Sequence, residues 1–544
     1  MRTLALAALL LARCGAAPPH FITILADDLG WADTALYNPL APTPRIKEEA
    51  DQGLLLERHY VFRYCSPSRR AFLSGRFPTS ITTVQPDGAD ACSDFLPLAT
   101  TTLAEKLSRG AGYECHFIGK GHLGYETTDH LPIRRGFASH LGFLLGSESY
   151  YHGGGAANAS EGAHDLWEDA APACAAVVAG MNYSTDVYVG RALEKIGAAA
   201  AAPPGARAPL FVYLALQNVH DPYNEPPPGE RGGPWPDFPL CADCTYAHML
   251  HALDAAVGNV TAALRRGALW DETLLLFSAD NGPIGGSGSS RPLRGRKHDP
   301  WEGGTRAAAF LAGGALPAAL RGARSGAKLV HVADWYPTFL GLAGVDSADD
   351  ALIGGVARPI DGVDVWPLLT GANATPPRAL TPVTEASIID VTGARARGGA
   401  DGGETAAWWK LVTLGGQSVR FTENATAYSD DADGPCLAAR QPDPPQPGRT
   451  DPLVSGCATC NASAPCLYDV LADPNETVNV AAAHPDVVAR LAAALAAAST
   501  YYVSGRIPAD ALAANYTPIN TTEEWGGFQG PCYRPKSPTR PGSG

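Results

Sequence analysis

Cys65 opens the run Cys65-Ser66-Pro67-Ser68-Arg69, and Pro67 suits the first turn of a helix over Pro67 to Ser74. A side chain at a helix N-terminus meets free N–H groups and a partial positive charge, which favour an anion, either a thiolate or an oxyanion ester. A buried half-cystine is the purely structural alternative. Asp27 and Asp28 are adjacent, and neighbouring carboxylates repel unless a cation sits between them. With Asp280 and Asn281 they make an all-oxygen set suited to Ca²⁺ or Mg²⁺ rather than zinc. Either pair alone could equally cap a helix. Lys120 and His122 stand two apart in Gly119-Lys120-Gly121-His122-Leu123-Gly124, where glycine permits close approach to a ligand, and His220 and Lys297 complete the candidates. The chain has 33 Arg but 8 Lys, so lysine kept beside such glycines points to a need for a compact, three-donor ammonium. A dication, a nucleophile at a helix start, cationic side chains and two histidines together suit transfer of a tetrahedral oxyanion, sulfuryl or phosphoryl.

These residues need a frame that brings them together. Apolar runs of strand length end at several of them: Phe21 to Ala26 before Asp27, Tyr113 to Ile118 before Lys120, Leu210 to Leu216 before His220, and Thr273 to Ser278 before Asp280. Helical stretches at Thr185 to Ala200 and Tyr246 to Arg265 lie between or beside them. This alternation predicts an α/β fold with a doubly wound, mostly parallel sheet, in which ligands bind outside the carboxyl ends of the strands. Four strand tips then converge on one site. A linker-like Arg395 to Gly403, a strand-like Trp408 to Leu414, an acidic Pro-rich loop over Asp430 to Pro452 and an Ala-rich helix at Pro485 to Ala498 suggest a smaller C-terminal domain beginning near residue 376. The expected division is 1–17, 18–375 and 376–544, with a mobile tail after Cys532.

The 544 residues are 45% hydrophobic and 18% charged, enough for ordinary cores, which excludes disorder as the default state. A net charge of −14 without a Lys/Arg run argues against a non-specific nucleic-acid binder. Met1 to Ala17 reads as a secretory signal peptide: an early Arg2, an apolar run from Leu4 to Ala12, then small residues. No later segment offers about 18 uninterrupted apolar residues, so no membrane span is expected. Nine Asn-x-Ser/Thr sequons, at Asn158, Asn182, Asn259, Asn373, Asn424, Asn461, Asn475, Asn515 and Asn520, fit a secreted or lysosomal glycoprotein. Of the 12 cysteines, removing Cys14 with the signal leaves an odd number, so one is unpaired or chemically special. Cys241/Cys244 and Cys457/Cys460 have CxxC spacing without histidines at zinc-finger distance, and bridging is the expectation.

At this point the residues resemble the sulfatase family of the alkaline phosphatase superfamily, and within it arylsulfatase B-like enzymes. The resemblance rests on Cys65 to Arg69 with Leu73-Ser74-Gly75-Arg76, Ala26 to Gly30, Gly119 to Gly124, Leu131 to Phe137, Val219-His220, Ser278 to Gly282, Pro292 to Lys297, Trp301 to Gly304 and Leu467-Tyr468-Asp469. It implies an alkaline phosphatase-like sheet sandwiched by helices, with a smaller C-terminal α+β domain. It also implies that Cys65 is oxidised to Cα-formylglycine by the formylglycine-generating enzyme, which accounts for an odd cysteine. By resemblance, Ca²⁺ would be held by Asp27, Asp28, Asp280 and Asn281 with the modified Cys65. Arg69 would steady the formylglycine diol, Lys120 and Lys297 would neutralise sulfate oxygens, His220 would help protonate the leaving alcohol, and His122 would take a proton from the remaining hydroxyl. Two departures bear on pocket shape: Gly121 stands where the family usually has Trp, and His298 follows Lys297 where a Trp is common.

The implied substrate is an aryl sulfate or a sulfated sugar, with 4-sulfated N-acetylgalactosamine foremost. A phosphatase or phosphodiesterase of the same superfamily would want Ser or Thr as nucleophile and two metals. An inactive sulfatase-like secreted binding protein would keep Cys65 unmodified. Arg134 and Arg135 could contact a polyanion or pair with acidic neighbours.

Overall fold

The computed structural model describes residues 18–81, 94–151, 164–173, 182–238, 244–284, 287–353, 356–393, 406–413 and 460–499, with shorter pieces between 515 and 536. The signal-like 1–17, the linker at 395–403 and the acidic loop at 430–452 lie outside the described residues, as do six of the twelve cysteines.

Ten strands form the main sheet: β1 (His20–Ala26), β2 (Leu54–Leu55), β3 (Glu114–Lys120), β4 (Ser139–Phe143), β5 (Trp167–Glu168), β6 (Ala171–Pro172), β7 (Leu210–Ala215), β8 (Thr273–Ala279), β9 (Ala309–Ala312) and β10 (Ala323–Arg324). Their order across the sheet is β10-β2-β9-β8-β1-β7-β3-β4-β5-β6. The central five, from β8 to β4, pair in parallel. The flanking β9, β5 and β6 run antiparallel to their neighbours. A parallel strand is covered on both faces, so its sequence is continuously apolar rather than alternating. β1, β7 and β8 obey this, with every residue buried.

The covering helices are α1 (Pro44–Asp51), α2 (Cys65–Ser74), α3 (Leu103–Ala111), α4 (Ser184–Ala201), α5 (Thr245–Arg266) and α6 (Trp335–Ala343). α4 and α5 pack together, as do α2, α3 and α6. α4 and α5 match the expected stretches to within a residue or two at each end, whereas α2 begins two residues earlier than expected, at Cys65 itself. It stops at Gly75, whose φ of +68° closes the last turn through an N–H to the Ala71 carbonyl.

A four-stranded antiparallel sheet follows: β11 (Leu380–Thr384), β12 (Ser387–Asp390), β13 (Trp409–Val412) and β14 (Cys466–Asp469), with α7 (Pro485–Ser499) on one face. Period-two alternation sorts its residues. Ile388, Leu411 and Leu467 pack with Leu491 and Leu495 of α7. Ile389, Val412 and Tyr468 pack with Tyr60 and Trp301 of the main body. Cys460 bridges Cys466 rather than the Cys457 of its CxxC spacing, and Cys244 is also disulfide-bonded. Beyond Cys532, Tyr533–Pro535 pairs with Tyr516–Pro518, so the start of the expected mobile tail is an ordered strand.

Candidate active site

Strand tips and one helix start bring nine of the ten candidate residues into one bonded cluster. Asp27 and Asp28 leave β1, Lys120 ends β3, His220 follows β7, Asp280 and Asn281 leave β8, and Cys65 and Arg69 lie on the first turns of α2. The Cys65 thiol donates to Asp27 Oδ1 at 3.3 Å. Arg69 donates to Asp280 Oδ2 from Nε at 3.0 Å and from Nη2 at 2.7 Å, and its Nη2 lies 3.3 Å from Asp27. Lys120 Nζ bonds the other oxygen of Asp27, and Lys297 Nζ sits 2.7 Å from Asp28 Oδ1. His220 Nε2 is 3.7 Å from Asp28, while its Nδ1 meets Asp221 at 2.9 Å. The tenth, His122, is buried two residues past Lys120 at φ +53°, its backbone N–H on the Leu144 carbonyl.

Three carboxylates face three cations in a buried setting, and the electrostatics follow. Burial alone would raise Asp27, but Lys120, His220, Arg69 and Lys297 outweigh it and hold the carboxyl well below its ordinary range. Burial would lower Lys297, but Asp28 holds its ammonium charged. His220 is raised despite burial and Lys297, chiefly by Asp28, and so tends to carry a proton. The Cys65 thiol goes the other way: burial, then Asp27 and Asp280, push it well up. Burial and two neighbouring carboxylates thus oppose a thiolate at the helix start, and Cys65 is one of two free cysteines among the described residues, with Cys115.

The carboxylates of the cluster suit a hard dication, whereas an unmodified Cys65 sulfur and the His220 nitrogen suit a softer metal. Ligand atoms of Asp27, Asp28, Cys65 and His220 lie within 4.8 Å of one another. Asn281 donates to Asp28 through Nδ2 at 2.7 Å, leaving its buried Oδ1 without a hydrogen-bond partner. A buried acceptor beside carboxylates is a group that a cation can complete. Asp28 itself sits at φ +55°, a left-handed conformation uncommon outside glycine and found at functional turns.

Other expectations change. The glycines around Lys120 are packed against backbone: a Cβ at Gly119 would lie 2.0 Å from the Ala215 carbonyl of the neighbouring strand, and one at Gly124 would lie 2.0 Å from the Asp94 carbonyl of a loop. Arg135 is structural, bonding Glu105 and the Thr100 carbonyl, while Arg134 stays exposed. Sequence reasoning missed Asp221, which orients His220, and Tyr150, whose hydroxyl donates to the His220 carbonyl at 3.0 Å. Asp221 was visible as the residue after His220; Tyr150 carried no local signal.

Residues 19–345 match the family model described as Sulfatase. The chain belongs to the sulfatase family. It is 30% identical over 524 residues to Arylsulfatase J of Mus musculus, covering 96% of this chain and 81% of that one. It is 30% identical over 505 residues to Arylsulfatase A of Homo sapiens, covering 88% and 87%. Among solved structures, Ps i-CgsB superposes with a TM-score of 0.64 at 23% identity over 89% of this chain and 93% of that one. The phosphonate monoester hydrolase of Agrobacterium radiobacter does so with 0.51 at 17% over 96% and 100%. These two show a shared fold alone, and a fold common to sulfur and phosphorus esters leaves the choice of chemistry to the site residues. As a member of its family the chain is a sulfatase, an enzyme that hydrolyses sulfate esters.

Proposed function

We propose that this sulfatase cleaves the sulfate ester of a sulfated sugar or aryl alcohol using Cys65, Arg69, Lys120, His122, His220 and Lys297, with Asp27, Asp28, Asp280, Asn281 and the modified Cys65 holding one Ca²⁺. The observation that carries this reading is the placement of Cys65 against Asp27, inside a ring of three cations and three carboxylates. A buried thiol pushed upward is a poor nucleophile, so the site makes chemical sense when Cys65 is oxidised to formylglycine. The hydrated aldehyde supplies one hydroxyl that attacks sulfur and a second whose loss of a proton re-forms the aldehyde as the C–O bond to sulfate breaks, and a bound dication would supply charge that polarises the sulfate.

The chain's own residues do the rest. Arg69, fixed by two bonds to Asp280, presents its guanidinium toward residue 65 from the same helix. Lys120 and Lys297 each bond a carboxylate; once Asp27 and Asp28 are taken up by a cation, their ammonium protons are available to sulfate oxygens. His220, held through Nδ1 by Asp221 and with Nε2 3.7 Å from Asp28, is placed to give a proton to the departing alcohol oxygen. His122 takes the proton released when sulfate departs.

Maturation would involve the formylglycine-generating enzyme, and the reading of residues 1–17 places the chain in the secretory pathway, secreted or lysosomal. Asn182, Asn259 and Asn373 are exposed, as glycosylation requires. No helix among the described residues is long and apolar enough to cross a membrane. Hydrolysis of an aryl sulfate by protein made in a host with formylglycine-generating activity tests the proposal. Wild-type turnover that disappears in Cys65→Ala supports it; equal rates in both refute it.

A further inference from the structure

The turn between β11 and β12 brings Glu385 of the smaller sheet to Arg63, two residues before Cys65. The Arg63 guanidinium bonds Glu385 Oε1 through Nη2 and the His298 carbonyl through Nη1. The return bond comes from the His298 N–H, which donates to the Arg63 carbonyl at 2.7 Å. Arg63 also lies over the Tyr64 ring at 5.1 Å, and Tyr64 contacts the His298 ring at 5.7 Å. One arginine thus stitches the segment entering Cys65 to the residue after Lys297, and its charge is balanced from the C-terminal sheet.

We propose that Glu385 is a positioning residue for Lys297, acting through Arg63 and His298. Both charges of the Arg63–Glu385 pair are largely buried, with side chains 18% and 17% exposed. Deleting one partner of such a pair leaves the other uncompensated, and the backbone it holds relaxes to find water or a new partner. Here that backbone is residue 298, one peptide from Lys297, whose ammonium lies 2.7 Å from Asp28 within the cluster around residue 65. Small displacements of a group that contacts the reacting centre are costly: about 1 Å can lose ~10²-fold in rate. Arg63, Tyr64 and His298 form one contact set, and His298 occupies the position where the family commonly has Trp, so the clamp belongs to this chain's own residues.

The inference rests on the sulfatase reading, and the test separates the two. Glu385→Ala, Glu385→Gln, Arg63→Met and the double variant Arg63→Met/Glu385→Ala are compared with wild type for aryl sulfate kcat and KM, for thermal midpoint, and for binding of inorganic sulfate by calorimetry. Glu385→Ala should lower the thermal midpoint, and at temperatures well below that midpoint it should still lose about tenfold in kcat and bind sulfate several-fold more weakly. Glu385→Gln, which keeps an acceptor for Arg63, should recover part of both, and the double variant should be no worse than the more damaged single variant. Wild-type kcat and sulfate affinity in Glu385→Ala would overturn the inference while leaving the sulfatase reading intact. So would losses that add in the double variant or that vanish well below the thermal midpoint. A wild-type protein that carries formylglycine yet neither turns over aryl sulfate nor binds sulfate would overturn the reading beneath it.

Discussion

At the scale of single residues, the site is a charge balance that requires both an anion and a cation to change. Lys297 faces Asp28 at 2.7 Å with almost no exposure, so its ammonium is already placed in the site and becomes available to an anion when Asp28 takes up a cation. Lys297→Ala should lower kcat/KM for an aryl sulfate by about 10²–10³-fold, as removal of one preorganised charge donor does. A loss below about threefold would place Lys297 outside the chemistry. Prolonged chelation should abolish turnover and lower the thermal midpoint, and Ca²⁺ should restore both, since a ligand at about 100 times its Kd stabilises by ~2.7 kcal/mol. Unchanged activity in the chelated protein would remove the dication from the account. Much of this was legible in the sequence because the candidates sit at strand ends and beside each other: Asp27-Asp28, Asp280-Asn281, Lys120 with His122. The scarcity of lysine was informative, and beyond Lys120 and Lys297 it extends to Lys410, which is fully buried between Glu302 at 2.9 Å and Glu476 at 3.0 Å. Arg63 and Glu385 were not legible, because 322 residues separate them and neither stands in a motif.

At the scale of elements, the strands were readable and their boundaries less so. Continuous apolar runs such as Phe21 to Ala26 can only be doubly covered strands when bounded by turn residues, and β1, β7 and β8 are that. α2 starts two residues before Pro67, because Pro is tolerated throughout a first turn whose N–H groups lack partners anyway and so does not fix where the helix begins. The glycines near Lys120 were assigned to ligand approach, although their Cβ positions are filled by neighbouring backbone. Gly119 is the sharpest case, with φ +94° and the β7 carbonyl of Ala215 where a methyl would go. Gly119→Ala should therefore destabilise the protein by roughly 2–4 kcal/mol, since neither its backbone conformation nor the strand spacing accepts a side chain. Urea unfolding gives this directly, and a variant within about 0.5 kcal/mol of wild type would show that β3 and β7 can move apart.

At the scale of the whole molecule, buried titratable groups set opposite limits on pH. Burial pushes the carboxyls of Asp33 and Asp165 up to about 7, and their partners are backbone N–H groups and, for Asp33, the Tyr246 hydroxyl, not cations. The folded state thus binds protons there that the unfolded state has released, and stability falls as pH rises from the ordinary carboxyl range through about 7. Burial lowers His59 and His130 to about 3, so these rings are neutral in the fold but protonate in the unfolded chain, and stability falls as pH drops below about 6.5. Between the two ordinary values the effects oppose each other. Above the histidine range only the carboxyls act, and below about 4 only the histidines and the depressed Asp27 remain. The thermal midpoint, followed by scanning fluorimetry at constant ionic strength, should be highest in the mildly acidic range, lower at pH 8 and lower again at pH 3.5. A midpoint that climbs steadily to pH 8 would contradict this assignment. The two-sheet architecture followed from the pattern of runs, but its docking did not: Trp301 and Tyr60 of the main body are buried among residues of the smaller sheet, a contact between segments far apart in sequence.

The most direct test of the central claim is mass spectrometry of the tryptic peptide Tyr64 to Arg69, from protein made in a host with formylglycine-generating activity. The account predicts a peptide lighter by about 18 Da than the cysteine form, the change from thiol to aldehyde, in the same preparation that hydrolyses an aryl sulfate. An intact or disulfide-bonded Cys65 in a preparation with full activity would contradict it.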